Sequence, residues 1–597
     1  MKRILSVFVI ALSFVPAFGQ TSPNGKIKVS TSDLGLTVSY QSLSGWQTIY
    51  TAEMPGIGKG VSRKATETYD MIVGKQHHIS KQYVESTYPL AADGSTLVVR
   101  AFDDGVAFRK ECRGAAGSKA EVPVVVDFSS ARSNWLLKWS DSYEGFFPKN
   151  TDTKDGDRWA YPTLFEYNDG VFALLSESCI EKDNAASCLY STSRKGVFRI
   201  QPDENDQNPE SSPWRVAIVG RISDVVESTL ISDLAAPARL TDTSWIEPGV
   251  ASWVYWAYNH GSNDYNIIKK YVDMAAELKL PYVLIDAEWD EMPKLASNNG
   301  KTIEDAVRYA VDKGVKPMIW YNSSVGWIDG APTPKFRLNK PEDREKEFAW
   351  CEKIGVTGVK IDFFSGDNNM NMKYMIELLE DAAKHHLLVN FHGATIPRGW
   401  QRTYPNLVST EGVYGAEWYN NVPTFTKRAA AHNATIPFTR NVVGSMDYTP
   451  CAFTDSQHPH ITTHAHELAL TAMYESGIQH LADRPESFLA QPQQVKDYLS
   501  ALPTAWDETR LLGGYPSDYV IMARRKGSAL YISGINGTDE VKNVALDVKP
   551  LKRLGSRITM FLDSGDAAHP WNIKQPKSVP TQIGMLPRGG FLIVINK

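Results

Sequence analysis

Asp362 ends the run Gly-Val-Lys-Ile-Asp-Phe-Phe, residues 358–364. A short, β-branched apolar run bounded by a glycine predicts a buried strand, so this carboxylate is expected at the strand's C-terminal end. Lys360 is two residues earlier and lies on the same strand face, where it can hold Asp362 as an anion. A lone aspartate at a strand end is usually structural, so a catalytic role requires partners.

Further carboxyl groups follow other predicted strands. Glu411 and Glu417 are six residues apart on a glycine-containing loop. Asp286 and Glu288 follow an earlier strand, and His392 ends the segment Asn-Phe-His. Hydrolysis of a glycosidic bond needs two carboxyl groups, one that donates a proton and one that acts as nucleophile or base. These carboxyl groups are therefore candidates for such a pair, although Asp286 and Glu288 could also be ion-pair partners.

The elements that must position these residues form an alternating pattern between residues 246 and 504. Eight predicted strands alternate with amphipathic helices, and the last five strands cover 357–364, 387–392, 406–411, 434–439 and 477–482. This alternation is typical of a (β/α)8 TIM barrel, whose chemistry lies at the C-terminal ends of its strands.

Two β-rich regions flank the predicted barrel. Residues 20–245 contain many short β-branched segments separated by turns, which predicts a large β-sandwich. Residues 505–597 predict a small antiparallel β-domain. The fold class expected from the sequence is thus a multidomain α/β and β chain: an N-terminal β-sandwich, a central (β/α)8 barrel and a C-terminal antiparallel β-domain.

The N-terminus has the features of a signal peptide over residues 1–19. Lys2 and Arg3 precede an apolar stretch, and Ala-Phe-Gly, residues 17–19, is a small-x-small cleavage site before Gln20. We therefore expect export to the periplasm or the medium. No later run is long enough for a membrane span, and a net charge of −5 gives no basic face for nucleic acid. Cys179 and Cys188 could form a disulfide or remain buried thiols.

Several segments in the same order resemble glycoside hydrolase family 97 over nearly the whole length that follows the leader. They are Gly-Val-Lys-Ile-Asp-Phe-Phe, Asn390-Phe-His-Gly393, Arg402-Thr-Tyr-Pro-Asn406, Thr410-Glu-Gly-x-x-Gly-x-Glu417 and Ser445-Met-Asp-Tyr-Thr-Pro450. The retaining branch of this family has an aspartate at the end of strand four, and the inverting branch has a base glutamate after the strand-five histidine. Asp362 is present and Gly393 follows His392, so the chain resembles the retaining branch, which includes α-galactosidases.

The resemblance implies roles for individual residues. Asp362 would be the nucleophile and Glu417 the general acid/base. Sugar contacts are expected from Lys360, His392, Asp286 and Glu288.

The resemblance also implies a calcium ion, whose ligands would be Glu411, Glu417 and a glutamate of the N-terminal domain. We expect this third ligand at Glu177, with Glu181 as the second choice.

The expected activity is that of a calcium-dependent, retaining, exo-acting α-glycosidase, first of all an α-galactosidase. Its substrate would be an oligosaccharide or polysaccharide with terminal α-galactosyl residues, and the protein would be a monomer or a small homo-oligomer. α-Glucosidase and β-L-arabinopyranosidase activity remain alternatives within the family. A catalytically silent carbohydrate-binding protein is the alternative from another class, and the presence of both Asp362 and Glu417 argues against it.

Overall fold

The computed structural model describes residues 15–17, 19–115, 117–255, 261–551 and 555–597. The predicted signal peptide over 1–19 lies almost entirely outside these residues. Within them, no helix is both long enough and apolar enough to cross a bilayer. The three-part fold class expected from the sequence is confirmed.

The N-terminal part is a sixteen-stranded antiparallel sheet that folds back on itself as a sandwich. The Gln20 amide near one end of the sheet donates to the Val99 carbonyl near the other end, which brings the two layers together. The strands are β1 (Val15–Ala17), β2 (Gly19–Thr21), β3 (Ile27–Ser32), β4 (Gly35–Ser42), β5 (Gly45–Glu53), β6 (Gly60–Asp70), β7 (His78–Pro89), β8 (Thr96–Phe102), β9 (Gly105–Glu111), β10 (Val124–Asp127), β11 (Ser133–Lys138), β12 (Arg158–Glu166), β13 (Val171–Ser178), β14 (Ser187–Ser191), β15 (Val197–Pro202) and β16 (Trp214–Arg221).

The central part is a parallel barrel that contains, within the described residues, seven strands. They are β17 (Gly249–Trp253), β18 (Tyr282–Ile285), β19 (Lys316–Asn322), β20 (Gly358–Asp362), β21 (Leu388–Phe391), β22 (Leu407–Thr410) and β23 (Ile478–Leu481). Parallel pairing of β17 with both β18 and β23 closes most of the ring. The apolar side chains of strands and helices bury each other, so the polar groups at the strand ends are held on a rigid frame.

Helices fill the connections between the barrel strands. Three of the four long helices after the first strands start with a side-chain cap, from Asp264, from Thr302 in a capping box with Asp305, and from Asn368. The helix Pro341–Ile354 starts with a proline in its first turn and has no side-chain cap. The described helices of the chain are Ile222–Glu227, Leu230–Asp233, Tyr265–Glu277, Ile303–Asp312, Pro341–Ile354, Asn369–Lys384, Trp400–Thr403, Pro423–Thr426, Ala429–Asn433, His464–Met473, Pro485–Leu489 and Gln493–Ser500, with short 3-10 turns at 168–170, 289–294, 296–298, 416–418, 436–438 and 440–443.

The predicted strand at 434–439 is wrong. Residues Ile436–Phe438 form a 3-10 turn, and Pro437 within it has no N–H to donate to a sheet. The missing place in the barrel is taken by the segment around Met446 and Asp447. The Asp447 N–H donates to Thr410 O at 3.2 Å, and the Met446 N–H donates to the carbonyl of Glu475 at 3.0 Å. This short segment bridges β22 and the stretch before β23, so Asp447 lies at a strand end.

The C-terminal part has a six-stranded antiparallel sheet and a two-stranded ribbon. Their strands are β24 (Glu508–Tyr515), β25 (Tyr519–Lys526), β26 (Ala529–Asn536), β27 (Lys542–Ala545), β28 (Arg557–Asp563), β29 (Trp571–Lys574), β30 (Gln582–Met585) and β31 (Gly590–Asn596). Arg524 donates to the carbonyl of Met473 at 2.7 Å, which ties this sheet to a barrel helix. All five cysteines are described and free, so Cys179 and Cys188 do not pair.

Candidate active site

A cavity of about 760 Å³ opens at the C-terminal ends of the barrel strands. Barrel loops form most of its wall, and a sandwich loop that contains Glu144 forms the rest. The position matches the catalytic end of a parallel barrel. Its titratable lining groups are Asp141, Glu144, Asp286, Glu288, Lys360, Asp362, Glu411 and Glu417.

Asp362 is the last residue of β20 and is oriented by two donors. Trp320 Nε1 donates to Oδ2 at 3.0 Å, and the Phe363 backbone N–H donates to Oδ1 at 2.8 Å. Phe363 has φ +65°, a left-handed conformation that turns the chain sharply after the strand. The carboxyl group is therefore held in one orientation at the wall of the cavity.

Lys360 and Asp286 form a buried ion pair beside Asp362. Lys360 Nζ donates to Asp286 Oδ2 at 3.1 Å, and Trp253 Nε1 donates to the same oxygen at 2.8 Å. Burial alone would lower the pKa of Lys360, but the charges of Asp286 and Asp362 raise it above the ordinary value. Lys360 therefore remains a cation, and Asp286 is both its partner and part of the cavity lining.

Glu417 is buried on the loop that follows β22. Its backbone carbonyl accepts hydrogen bonds from the Tyr255 hydroxyl and the Asn421 amide. Burial, together with the nearby charges of Glu144 and Asp362, raises the pKa of Glu417 to about 8, although Lys360 acts in the opposite direction. Such a group is protonated at neutral pH and can act as a general acid.

Glu411, Glu417 and His392 converge on one point. Each offers a ligand atom, and these atoms lie within 4.8 Å of one another. Glu411 Oε2 accepts from the Gly393 N–H at 2.7 Å, whereas the buried Glu411 Oε1 has no hydrogen-bond partner among the residues that the structure describes. Burial, then the charge of Glu144, raises the pKa of Glu411 well above its usual range. Converging buried carboxyl groups with an unpartnered oxygen fit a hard divalent cation, which takes oxygen ligands.

Glu144 was not identified from the sequence, yet it brings a carboxyl group of the N-terminal sandwich to the lining of the same cavity, where its charge acts on Glu411. It lies between β11 and β12, and Trp418 Nε1 donates to its Oε1 at 2.6 Å. Burial raises the pKa of Glu144, although hydrogen bonds from Ser142 and Trp418 oppose this. The run Ser-Asp-Ser-Tyr-Glu-Gly, residues 140–145, is a polar, acidic loop. That composition is a signal, but it does not reveal that the loop reaches the barrel.

The expectation that Glu177 is the metal ligand from this domain is corrected. Glu177 is fully buried on β13, and its carboxylate accepts from Ser187 N at 2.9 Å and Ser187 Oγ at 2.6 Å. Arg215 and Arg398 also donate to it, at 2.5 and 2.7 Å. A carboxylate with four donors has no free lone pair for a metal. Glu181, the second choice, pairs with Arg239 at 2.5 Å.

His392 is held by Asp447. Asp447 Oδ2 lies 3.1 Å from His392 Nε2, and it also accepts from the Asn390 amide at 2.7 Å and lies 2.8 Å from His480 Nδ1. Burial, then the charge of Lys360, lowers the pKa of His392, so the ring is neutral. The network assigns the proton to Nε2, and Nδ1 then faces Glu411 Oε2 at 3.3 Å.

Glu288 is the remaining predicted sugar contact and lines the cavity. It has a left-handed φ of +69°, and its backbone N–H donates to Thr333 O at 2.6 Å.

Gly393 has no side chain, and the Asp362 carboxyl group occupies the space where its Cβ would be. It has φ +47°, and a Cβ added there would lie 2.7 Å from Asp362 Oδ1 and 2.8 Å from the Phe363 nitrogen. Real Cβ atoms do not approach other atoms so closely. A side chain after the strand-five histidine and an aspartate at the end of strand four therefore compete for the same volume.

Comparisons with known proteins agree with the three-part architecture. The family model for glycoside hydrolase 97 matches residues 245–413, and the models for the N-terminal part and for the C-terminal part, the latter described as involved in oligomerisation, match residues 16–237 and 505–596.

Individual relatives extend over nearly the full length. The chain is 34% identical over 599 residues to a protein of Streptomyces bingchenggensis described as a probable retaining α-galactosidase, with 96% of this chain and 88% of the relative covered. It is 26% identical over 579 residues to a retaining α-galactosidase of Bacteroides thetaiotaomicron, with 83% and 82% covered. A crystal structure of a β-arabinopyranosidase superposes with a TM-score of 0.84 at 25% identity, over 96% of this chain and 99% of that one.

Proposed function

The chain belongs to glycoside hydrolase family 97, and from this we propose that it is a calcium-dependent, retaining, exo-acting α-galactosidase. The observation that carries the retaining mechanism is the pair formed by Asp362 and Gly393. Asp362 is an oriented carboxylate at the end of β20, and a side chain at 393, where an inverting enzyme would have its base, would collide with it. The names of the two α-galactosidase relatives support the choice of sugar.

In the first step, an Asp362 oxygen attacks the anomeric carbon while Glu417 gives its proton to the glycosidic oxygen. The bond to the leaving group breaks, and a glycosyl ester forms on Asp362. In the second step, the Glu417 carboxylate removes a proton from water, whose oxygen attacks the anomeric carbon. The ester bond breaks, Asp362 leaves as carboxylate, and the product has the configuration of the substrate.

The roles of the neighbouring groups follow from charge. Lys360 remains a cation near Asp362 and favours the ionised nucleophile. Burial keeps Glu417 protonated until it is needed as acid. Asp286, Glu288 and His392 line or adjoin the cavity, where their polar atoms can bind sugar hydroxyls.

A calcium ion would be held by Glu144, Glu411 and Glu417, with His392 Nδ1 adjacent. When bound, it would neutralise these carboxylates and offer coordination positions to hydroxyl groups. Glu417 can serve as both ligand and acid only if one of its oxygens faces the ion and the other faces the substrate.

The stereochemistry of the first product tests the mechanism. We expect nuclear magnetic resonance of a fresh reaction with p-nitrophenyl α-galactoside to show α-galactose before mutarotation. A first product with the β configuration would contradict the role of Asp362.

β-L-Arabinopyranosidase activity is the second candidate, and the similarity to a β-arabinopyranosidase structure favours it. This sugar differs from galactose mainly by lacking the C6 hydroxymethyl group, so one pocket could accept both. Rates of hydrolysis measured on a panel of p-nitrophenyl glycosides, which includes the α-galactoside, the β-L-arabinopyranoside and the α-glucoside, decide between the sugars.

We also propose that the protein is exported after cleavage before Gln20, which N-terminal sequencing of the mature protein would check. The C-terminal family model is described as involved in oligomerisation, which supports a small homo-oligomer.

A further inference from the structure

Trp327 is a large aromatic residue that remains exposed at the active-site cavity. It lines the cavity with 52% of its surface accessible, whereas Trp320, in the same cavity, is only 1% exposed. An exposed indole at a cavity mouth is unusual for packing alone, because burying it would gain hydrophobic free energy. Trp327 has no role in the mechanism described above.

The backbone around Trp327 is fixed to the segment of the nucleophile. Ser323 Oγ donates to the carbonyl of Phe363 at 2.7 Å, and its N–H donates to the carbonyl of Asp362 at 2.8 Å. Gly326 packs so closely that an added Cβ would lie 2.2 Å from the Phe363 carbonyl oxygen. The loop cannot move far relative to Asp362 without breaking these contacts.

The ring of Trp327 is itself held in place. Its Nε1 donates to Asp329 O at 2.7 Å, and the Asn322 amide donates to the Trp327 carbonyl at 3.2 Å. The ring meets the ring of Phe363 edge to face, with centroids 5.0 Å apart and an interplanar angle of 72°. The polar atom of the indole is thus satisfied, and an oriented apolar face remains accessible.

The position of Trp327 relative to the buried groups indicates which sugar could lie against its accessible face. The buried groups Asp286, Lys360 and Asp362 form its inner part, where the sugar that is cleaved off must bind. The sugar on the other side of the scissile bond must then extend toward the mouth. The C–H face of a pyranose is apolar and stacks on aromatic rings.

We propose that Trp327 is the platform for the leaving-group sugar, so that it selects carbohydrate leaving groups over small ones. This inference rests on the proposed glycosidase function. It predicts that Trp327 contributes to transition-state binding only when the leaving group is a sugar.

The test compares two substrates with the same cleaved sugar, an α-galactosyl disaccharide and α-galactosyl fluoride, whose leaving group has nothing to stack. For Trp327→Ala, we expect kcat/KM for the disaccharide to fall about tenfold or more, while kcat/KM for the fluoride stays within about twofold of the unaltered protein. Trp327→Phe, which keeps an aromatic face, should retain most of the disaccharide activity.

Trp46→Ala is the matched control, because Trp46 is 50% exposed but lies in the sandwich on β5, away from the cavity lining. It should leave both substrates unaffected. Equal losses of Trp327→Ala on disaccharide and fluoride, or no loss on either, would overturn the proposal.

The disaccharides and glycosyl fluorides that contain α-glucosyl and β-L-arabinopyranosyl groups are measured in parallel. The loss of kcat/KM on the disaccharide is compared with the loss on the fluoride for whichever sugar the unaltered protein hydrolyses. An error in the assigned sugar is thus distinguished from an error about Trp327.

Discussion

Two carboxyl groups of one cavity have opposite environments. Asp362 accepts two N–H donors, and Lys360 lies nearby as a cation. Burial, together with the charges of neighbouring carboxyl groups, raises the pKa of Glu417 to about 8. Environments that separate two acids in this way divide the roles of nucleophile and proton donor between them.

The protonation of Glu417 sets the alkaline limit of activity. Its pKa is raised from the usual value, so the proton is present at neutral pH and is lost as the pH rises through about 8. A bound cation favours the carboxylate and moves this limit lower. We expect kcat/KM for a disaccharide to fall about tenfold per pH unit above a limit at or below pH 8.

Glu417→Gln should remove this alkaline decline and lower disaccharide hydrolysis by about 10²-fold or more. α-Galactosyl fluoride needs no protonated leaving group and should lose far less. An unchanged alkaline decline in Glu417→Gln, measured from full pH profiles, would show that another group titrates.

The sequence around Glu177 does not reveal which groups surround its carboxylate in the folded protein. The four donors around its carboxylate come from Ser187, Arg215 and Arg398, which are distant in sequence. Arg398 also donates to the hydroxyl of Tyr143 at 2.9 Å, next to Glu144. Glu177 therefore helps to hold the loop that carries Glu144.

At the scale of elements, local patterns were sufficient for most of the fold. The strand that ends at Asp362 forms where its residues predict it, because the pattern of apolar residues that marks a strand is a local property. The seventh barrel position was missed because the segment around Asp447 makes only a few sheet hydrogen bonds and has no recognisable strand length. Glu144 was missed because only the packing of sandwich on barrel brings its loop to the cavity.

Gly393, which follows β21, packs against Asp362 at the end of β20, so even an added methyl group at position 393 should affect activity. In Gly393→Ala the new Cβ would lie 2.7 Å from Asp362 Oδ1, so the nucleophile or its strand must shift. A shift of about 1 Å in a reacting group can cost about 10²-fold in rate. We expect a loss of this size in kcat/KM for α-galactosyl fluoride, measured with protein whose circular dichroism is native.

Gly314→Ala is the control for this substitution. Gly314 also has a positive φ, +77°, but no atom lies within 4 Å of an added Cβ. Both variants therefore share the strain of a left-handed backbone, but only Gly393→Ala brings a Cβ into collision with Asp362. Similar activity in the two variants would show that Asp362 and residue 393 do not compete for space.

At the scale of the whole molecule, the candidate cation site joins two parts of the chain. Glu144 comes from the sandwich, whereas Glu411 and Glu417 come from the barrel. The Trp418–Glu144 hydrogen bond crosses the same boundary. An ion held by all three would stabilise the assembled molecule and not its separate parts.

Calcium should therefore raise the midpoint of thermal unfolding. Binding only to the folded protein stabilises it by about 2.7 kcal/mol when the free ion is at about 100 times its dissociation constant. Differential scanning calorimetry after chelation, with and without added calcium, measures this shift.

Glu144→Gln should abolish most of the calcium-dependent shift. Glu181→Gln, which alters an acidic residue of the same domain that pairs with Arg239, should leave it intact. A full calcium response in Glu144→Gln would remove Glu144 from the ligand set.

The contact between Gly393 and Asp362 also limits how such a site can change in evolution. Gaining a glutamate at 393 first would force it against Asp362, and losing Asp362 first would leave no nucleophile. A change of stereochemical outcome at this site would therefore require positions 362 and 393 to change together, because they share one volume.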